Sequence, residues 1–271
     1  MILTTDSLPD YFTIATPRNS HFAVTTNTFD FVNRNSDVLV VTCGDSWTWG
    51  ADLTPNDDKE FRVTHAYGNI ISDKLSADWL NLGLSGSNNF FIAERTEELS
   101  KIIPLLNYSK IYLICTFTEI GRSFNSHHDV YLDYINYFNN NTIDNFLNLL
   151  NAECVRRIKK VTTAHNIELV IGTNFIDAIG IDTDVLLPLP WFRLLGIDCP
   201  VTGYAGTTGV TRLQSVSEFV NDTTAYKIWM NDLIDKSYYI DQVCASSTLI
   251  MQHPCTSGHR MWAEYILENI K

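Results

Sequence analysis

Two short stretches at opposite ends of the chain carry the residue types needed for acyl transfer. Near the start, Val38-Leu39-Val40-Val41-Thr42-Cys43 runs into Gly44-Asp45-Ser46. Near the end, His253-Pro254 is followed by Cys255-Thr256-Ser257-Gly258-His259. A serine hydroxyl attacks a carbonyl only when a base takes its proton, and imidazole titrates in the right range to do so. The run at 38–43 is short, apolar and rich in β-branched residues, the pattern of a strand buried on both faces. Gly44 lets the backbone turn where that strand stops. Ser46 then stands at the carboxyl end of a central strand, where open α/β sheets bind their ligands.

The elements that would position these residues follow from periodicity. Strands are predicted at 37–43, 77–83, 111–115 and 169–172, and helices at 64–76, 89–102, 142–165 and 257–270. The helix at 89–102 starts behind Asn88 or Asn89 as its cap. Alternating strands and helices imply parallel pairing, hence an α/β fold: a three-layer α/β/α sandwich with a mostly parallel central sheet. Residues 1–36 are polar and read as an extension wrapping a domain that spans 37–271. Within that domain, 176–240 reads as an irregular insertion or lid with short helices such as 216–236.

Composition narrows the function. The net charge of −12 argues against nucleic acid, whose phosphates need a basic surface. The one dense basic cluster, Arg156-Arg157 with Lys159-Lys160, reads as a solvated helix face. No stretch reaches the roughly 18 apolar residues of a membrane span, and the N-terminus lacks the pattern of a secretory signal. The six cysteines form no CxxC pair, so a reducing, cytoplasmic setting is expected and a structural zinc site is not. His127-His128-Asp129 lacks further spaced ligands and reads as a solvated loop.

The ordered blocks resemble the SGNH (GDSL-like) hydrolase family and its flavodoxin-like fold. Gly44-Asp45-Ser46 is similar to the first block, whose serine is the nucleophile. Leu82-Gly83-Leu84-Ser85-Gly86-Ser87-Asn88 looks like the second, which makes Gly86 the donor of an oxyanion N–H. His253-Pro254 with Gly258-His259 looks like the fifth, where the histidine before proline is the general base. Two positions depart from the pattern. The oxyanion asparagine of the third block is Thr118 here, in Cys115-Thr116-Phe117-Thr118-Glu119. Its hydroxyl can donate one hydrogen bond with a shorter reach, and Asn88 or Asn174 can supply an amide instead. The aspartate three residues before the histidine is Ile250, so the expected site is a Ser46–His253 dyad with no acid.

The resemblance implies an ester hydrolase of esterase or deacetylase type, acting on a small-molecule or carbohydrate ester without cofactor or metal. A second class stays open: a binding or scaffold protein, accessory or virus-encoded in character, that keeps the hydrolase fold with little activity. The bland alternatives are specific. Ser46 can be a helix-capping residue, Asp45 a structural one, and Trp47 and Trp49 either site lining or core. Cys255 lies too close to His253 on one loop to pair with it as a nucleophile. His259 is expected to face away, and Glu119 and Arg122 can pair with each other or meet substrate.

Overall fold

The computed structural model describes residues 29–51, 53, 58–118, 140–174, 184–194, 254 and 256–270. Five strands form one sheet: β1 (Asp30–Val32), β2 (Val38–Cys43), β3 (Asp78–Asn81), β4 (Lys110–Phe117) and β5 (Glu168–Thr173). Their order is β1-β3-β2-β4-β5. The pairs β2–β3, β2–β4 and β4–β5 are parallel, and β1 adds to β3 antiparallel. The helices are α1 (Ser46–Trp49), α2 (Lys59–His65), α3 (Tyr67–Lys74), α4 (Asn89–Ile102), α5 (Asn140–His165), α6 (Trp191–Leu194) and α7 (Thr256–Asn269).

Period-two alternation along β2 and β4 divides the core into two halves. Leu39, Val41 and Cys43 of β2, with Leu113, Cys115 and Phe117 of β4, pack with Ile92 and Leu99 of α4 and Cys154 and Ile158 of α5. Val40, Tyr112 and Ile114 point the other way, onto Tyr67 and Ile71 of α3 and Trp262, Ala263 and Ile266 of α7. With both faces covered, the central strands have no polar face, which is why they read as unbroken apolar runs. The three-layer α/β sandwich expected from the sequence is the one found.

One local expectation is corrected, and two segments gain detail. The sequence predicts one helix over 64–76, but the chain breaks at Ala66, whose extended backbone (ψ 139°) ends α2 and starts α3. The break frees the Tyr67 N–H to donate to His259 Nδ1 at 3.2 Å. Asp30–Val32, inside the segment read as a wrapping extension, is an edge strand of the sheet. Within the segment read as an insertion or lid, residues 184–194 dock on the domain: Leu186 bridges Ile171 of β5, and Leu187 and Trp191 are buried in the core. The rest of 176–240 lies outside the described residues. The basic cluster is largely paired, Arg156 with Glu153, Arg157 with Glu97 of α4, and Lys159 with Asp184.

One buried ion pair ties the edge strand to the helices beside the serine. Arg62 of α2 donates to both oxygens of Asp30 (2.6 and 3.0 Å) and to the carbonyl of Trp49 (3.0 Å), with its guanidinium over the Trp49 ring. Removing one partner of such a pair leaves a buried charge uncompensated. Asp30→Ala is therefore expected to cost about 3–5 kcal/mol of stability. The joint replacement of Asp30→Leu and Arg62→Met should recover most of it. Urea denaturation midpoints of the two variants check both statements.

Candidate active site

The strand order places a switch point between β2 and β4. From β2 the chain moves out to β3 along one face of the sheet, then returns past β2 to β4 along the other. Crevices at such points lie outside the carboxyl ends of the strands. Four of the residues read from the sequence follow those ends directly or within a turn: Ser46 after β2, Gly86 after β3, Thr118 after β4 and Asn174 after β5.

Ser46 is the first residue of α1 and is buried. The capping role weighed for it falls to its neighbour: Asp45 is the N-cap, and its Oδ1 accepts from Trp47 N at 3.0 Å. The turn is tight on both sides. A Cβ on Gly44 would stand 2.0 Å from Thr48 Oγ1, and one on Gly83 would stand 2.7 Å from the Trp49 nitrogen. Both contacts are shorter than atoms tolerate, so these two positions admit only glycine. Leu84 N then donates to the Gly44 carbonyl at 3.0 Å, joining the loop after β3 to the serine turn.

Asn174 completes the support. Its Nδ2 donates to Asp45 Oδ1 at 2.7 Å, and its backbone N–H to the Phe117 carbonyl at 2.8 Å. Asp45 as a carboxylate can only accept, so the amide orientation is set by chemistry. That leaves Asn174 Oδ1 buried without a hydrogen-bond partner among the described residues. The sequence offers Asn174 as an oxyanion amide; in the structure one of its N–H bonds holds the serine turn.

Gly86 lies in an exposed turn at φ 80°, with no heavy atom within 4 Å of where a Cβ would project. Among the described residues, neither its N–H nor that of Ser46 has an intramolecular acceptor. Asn88 caps α4, its Oδ1 accepting from Phe91 N at 2.9 Å, as the loop composition predicts. Asn89 does something the sequence reading missed. Its carboxamide bonds both peptide groups of Thr118, accepting from N at 2.9 Å and donating to O at 3.1 Å. It also donates to Asn151 Oδ1 of α5 at 3.0 Å. Thr118 is fully buried. The Asn-Asn doublet at a helix start was the available signal, since one asparagine suffices as the cap.

His253 lies outside the described residues, as do Glu119, Arg122, His127, His128, Asp129 and Cys255. His259, expected to face away, is instead buried against Tyr67 and Trp191 (centroids 6.1 and 5.0 Å). Because its Nδ1 accepts the Tyr67 N–H, the imidazole is in its neutral Nε2–H form. Trp47 is core, edge-on to Trp191 at 5.2 Å, while Trp49 is half-buried under Arg62. Beneath the serine turn, Tyr67 OH meets Thr116 Oγ1 at 3.0 Å and Thr48 Oγ1 at 3.4 Å. Burial pushes the Tyr67 phenol well above its ordinary range.

No family model and no curated protein matches the sequence. Solved structures do. The chain is similar to a lipolytic protein of the G-D-S-L family from Veillonella parvula, at 13% identity, 85% of this chain, 97% of that chain and TM-score 0.40. It is similar to a G-D-S-L family protein from Desulfitobacterium hafniense, at 10% identity, 86% and 99% coverage and TM-score 0.39. It is also similar to a lipase from a goat rumen metagenome, at 10% identity, 85% and 96% coverage and TM-score 0.42.

Three cysteines flank the site's supports. Burial pushes the Cys43 and Cys154 thiols up to about 12 and the Cys115 thiol well above its ordinary value. All three are free. Thiolate is the reactive form, so these cysteines should stay unmodified when the native protein is treated with iodoacetamide at pH 8, and alkylate only in urea. Peptide mapping by mass spectrometry reads this directly. The sign for stability follows. The folded state keeps thiol protons that the unfolded chain releases near pH 9, so this contribution is intact below that value. It is lost as pH rises from 9 toward 12.

Proposed function

We propose that this protein is a serine-dependent carboxylester hydrolase acting on a small-molecule or carbohydrate ester. The observation that carries the reading is the state of the Ser46 turn. A buried serine stands at the switch point of a parallel sheet, its turn fixed by Asp45 and Asn174. The N–H groups of Ser46 and Gly86 are meanwhile uncommitted among the described residues. Hydroxyl and uncommitted donors at one crevice are what acyl transfer needs.

The steps follow from these groups. His253 takes the Ser46 proton as Oγ adds to the ester carbonyl carbon. The carbonyl oxygen becomes an oxyanion that accepts from Ser46 N–H, Gly86 N–H and the Thr118 hydroxyl. The intermediate collapses, and the alcohol leaves with the proton from His253. Water, deprotonated by His253, then adds to the acyl-serine. Its collapse returns the proton to Ser46 and releases the carboxylic acid. With Ile250 where the family's acid would stand, a backbone carbonyl or another residue must orient the imidazole.

Wild-type protein is expected to label with a fluorophosphonate probe and to hydrolyse p-nitrophenyl acetate. Ser46→Ala should abolish labelling, and Ser46→Ala and His253→Ala should each lower turnover by about 10⁴-fold or more. Wild-type protein inert to both reagents and to a panel of acetylated sugars would overturn the reading in favour of a non-catalytic binding protein.

A further inference from the structure

We propose that Asn89 is a positioning residue that sets the spacing between the two sides of the oxyanion hole, an inference that rests on the hydrolase reading above. The two sides come from segments the sheet does not connect. Gly86 follows β3 and Thr118 follows β4, and β2 lies between those strands. No ladder hydrogen bond sets one against the other. Asn89 bridges the gap. It starts α4 three residues after Gly86, and its carboxamide pairs with the Thr118 peptide N–H and C=O as an adjoining strand would.

The pairing has one chemical orientation. The Thr118 N–H needs an acceptor and its C=O a donor, so Oδ1 and Nδ2 cannot exchange places. The second Nδ2 proton goes to Asn151 Oδ1, which anchors the amide to α5. Asn89 is buried, with both its donors and its carbonyl engaged. In such surroundings hydrogen bonds are strong and a lost partner is expensive. The adjacent Asn88 cap fixes the start of the same helix. Gly86 and Thr118 are thus held at one separation by a side chain that touches neither substrate nor the reacting atoms. A misplacement of about 1 Å at such a site costs roughly 10²-fold in rate.

The test uses Asn89→Asp and Asn89→Ala in the full chain. Asp keeps the size and the acceptor but cannot donate to Thr118 O or Asn151 Oδ1. Both variants should lower kcat for p-nitrophenyl acetate by about 10²-fold per probe-labelled serine, with KM within a few-fold of wild type. A role confined to folding would lower the labelled fraction and leave kcat per labelled site unchanged, and that result overturns the inference. Asn151→Ala removes only one bond of the three and should lower kcat about 10-fold per labelled site. It decides the matter if the Asn89 variants do not fold, with unchanged kcat again counting against the proposal. Inert wild-type protein brings down the hydrolase reading and this inference together. Active wild-type protein with unaffected variants brings down this one alone.

Discussion

The arrangement depends on one crowded junction, the turn from β2 into α1. Thr48 and the carbonyl of Thr116 press on Gly44 from one side, and Trp49 presses on Gly83 from the other. A turn that tight must be held by partners outside itself, and the partner comes from far along the chain. Asp45 caps α1 and accepts from Asn174, at the end of β5, across the end of β4. A hydrogen bond to a buried carboxylate contributes more than one between neutral groups, about 1.5–3 kcal/mol. Without it the capping oxygen would lose that partner, and the turn that carries Ser46 would lose its tie to the far end of β5.

The two halves of the core serve the site differently. The half under α4 and α5 is aliphatic with small thiols, and it holds the β3–α4 loop and the end of β4 through Asn89. The other half is aromatic. Trp191 touches Trp47, Tyr67, His259 and Trp262, and its indole N–H donates to the Gly258 carbonyl at 3.1 Å. His259 in turn accepts from the backbone of Tyr67. The first turn of α7 is therefore fixed to α3 and α6 by polar contacts inside an apolar cluster. These contacts specify where a helix from the end of the chain docks, which burial alone does not.

The sheet's central strands and α4 were legible because their information is local. An apolar run of β-branched residues names a buried strand, and an asparagine ahead of a periodic segment names a helix start. What escaped depends on distant partners. The break at Ala66 makes sense only with His259, 192 positions from Tyr67, to take the Tyr67 N–H. The three-residue β1 is too short to show a period, and its buried Asp30 is explained by Arg62. Trp191 lies in a proline-rich stretch whose composition reads as loop, although the indole is wholly buried. His259 was legible and misread: with Trp262, Ala263 and Ile266 it falls on the apolar stripe of α7. At the site, Gly44 and Ser46 announced themselves by type and place, whereas Asn89 looks like a second cap until Thr118 is beside it.

Unsatisfied polar groups show where the sequence gives up stability. Among the described residues, Ser87 Oγ, Asn151 Nδ2 and Asn174 Oδ1 are buried without hydrogen-bond partners, as is Trp262 Nε1 in the aromatic half of the core. Ser87 and Asn174 follow β3 and β5, and Asn151 bonds the residue that holds Thr118. Each such atom costs about 1–3 kcal/mol, and an apolar side chain of similar volume would avoid that cost. Asn174 illustrates the trade within a single side chain. Its nitrogen is committed to Asp45 and cannot be given up without loosening the serine, so its oxygen must face inward whether or not anything donates to it. The cost at the oxygen is the consequence of the bond at the nitrogen, and the fold accepts it because that bond positions the Ser46 turn.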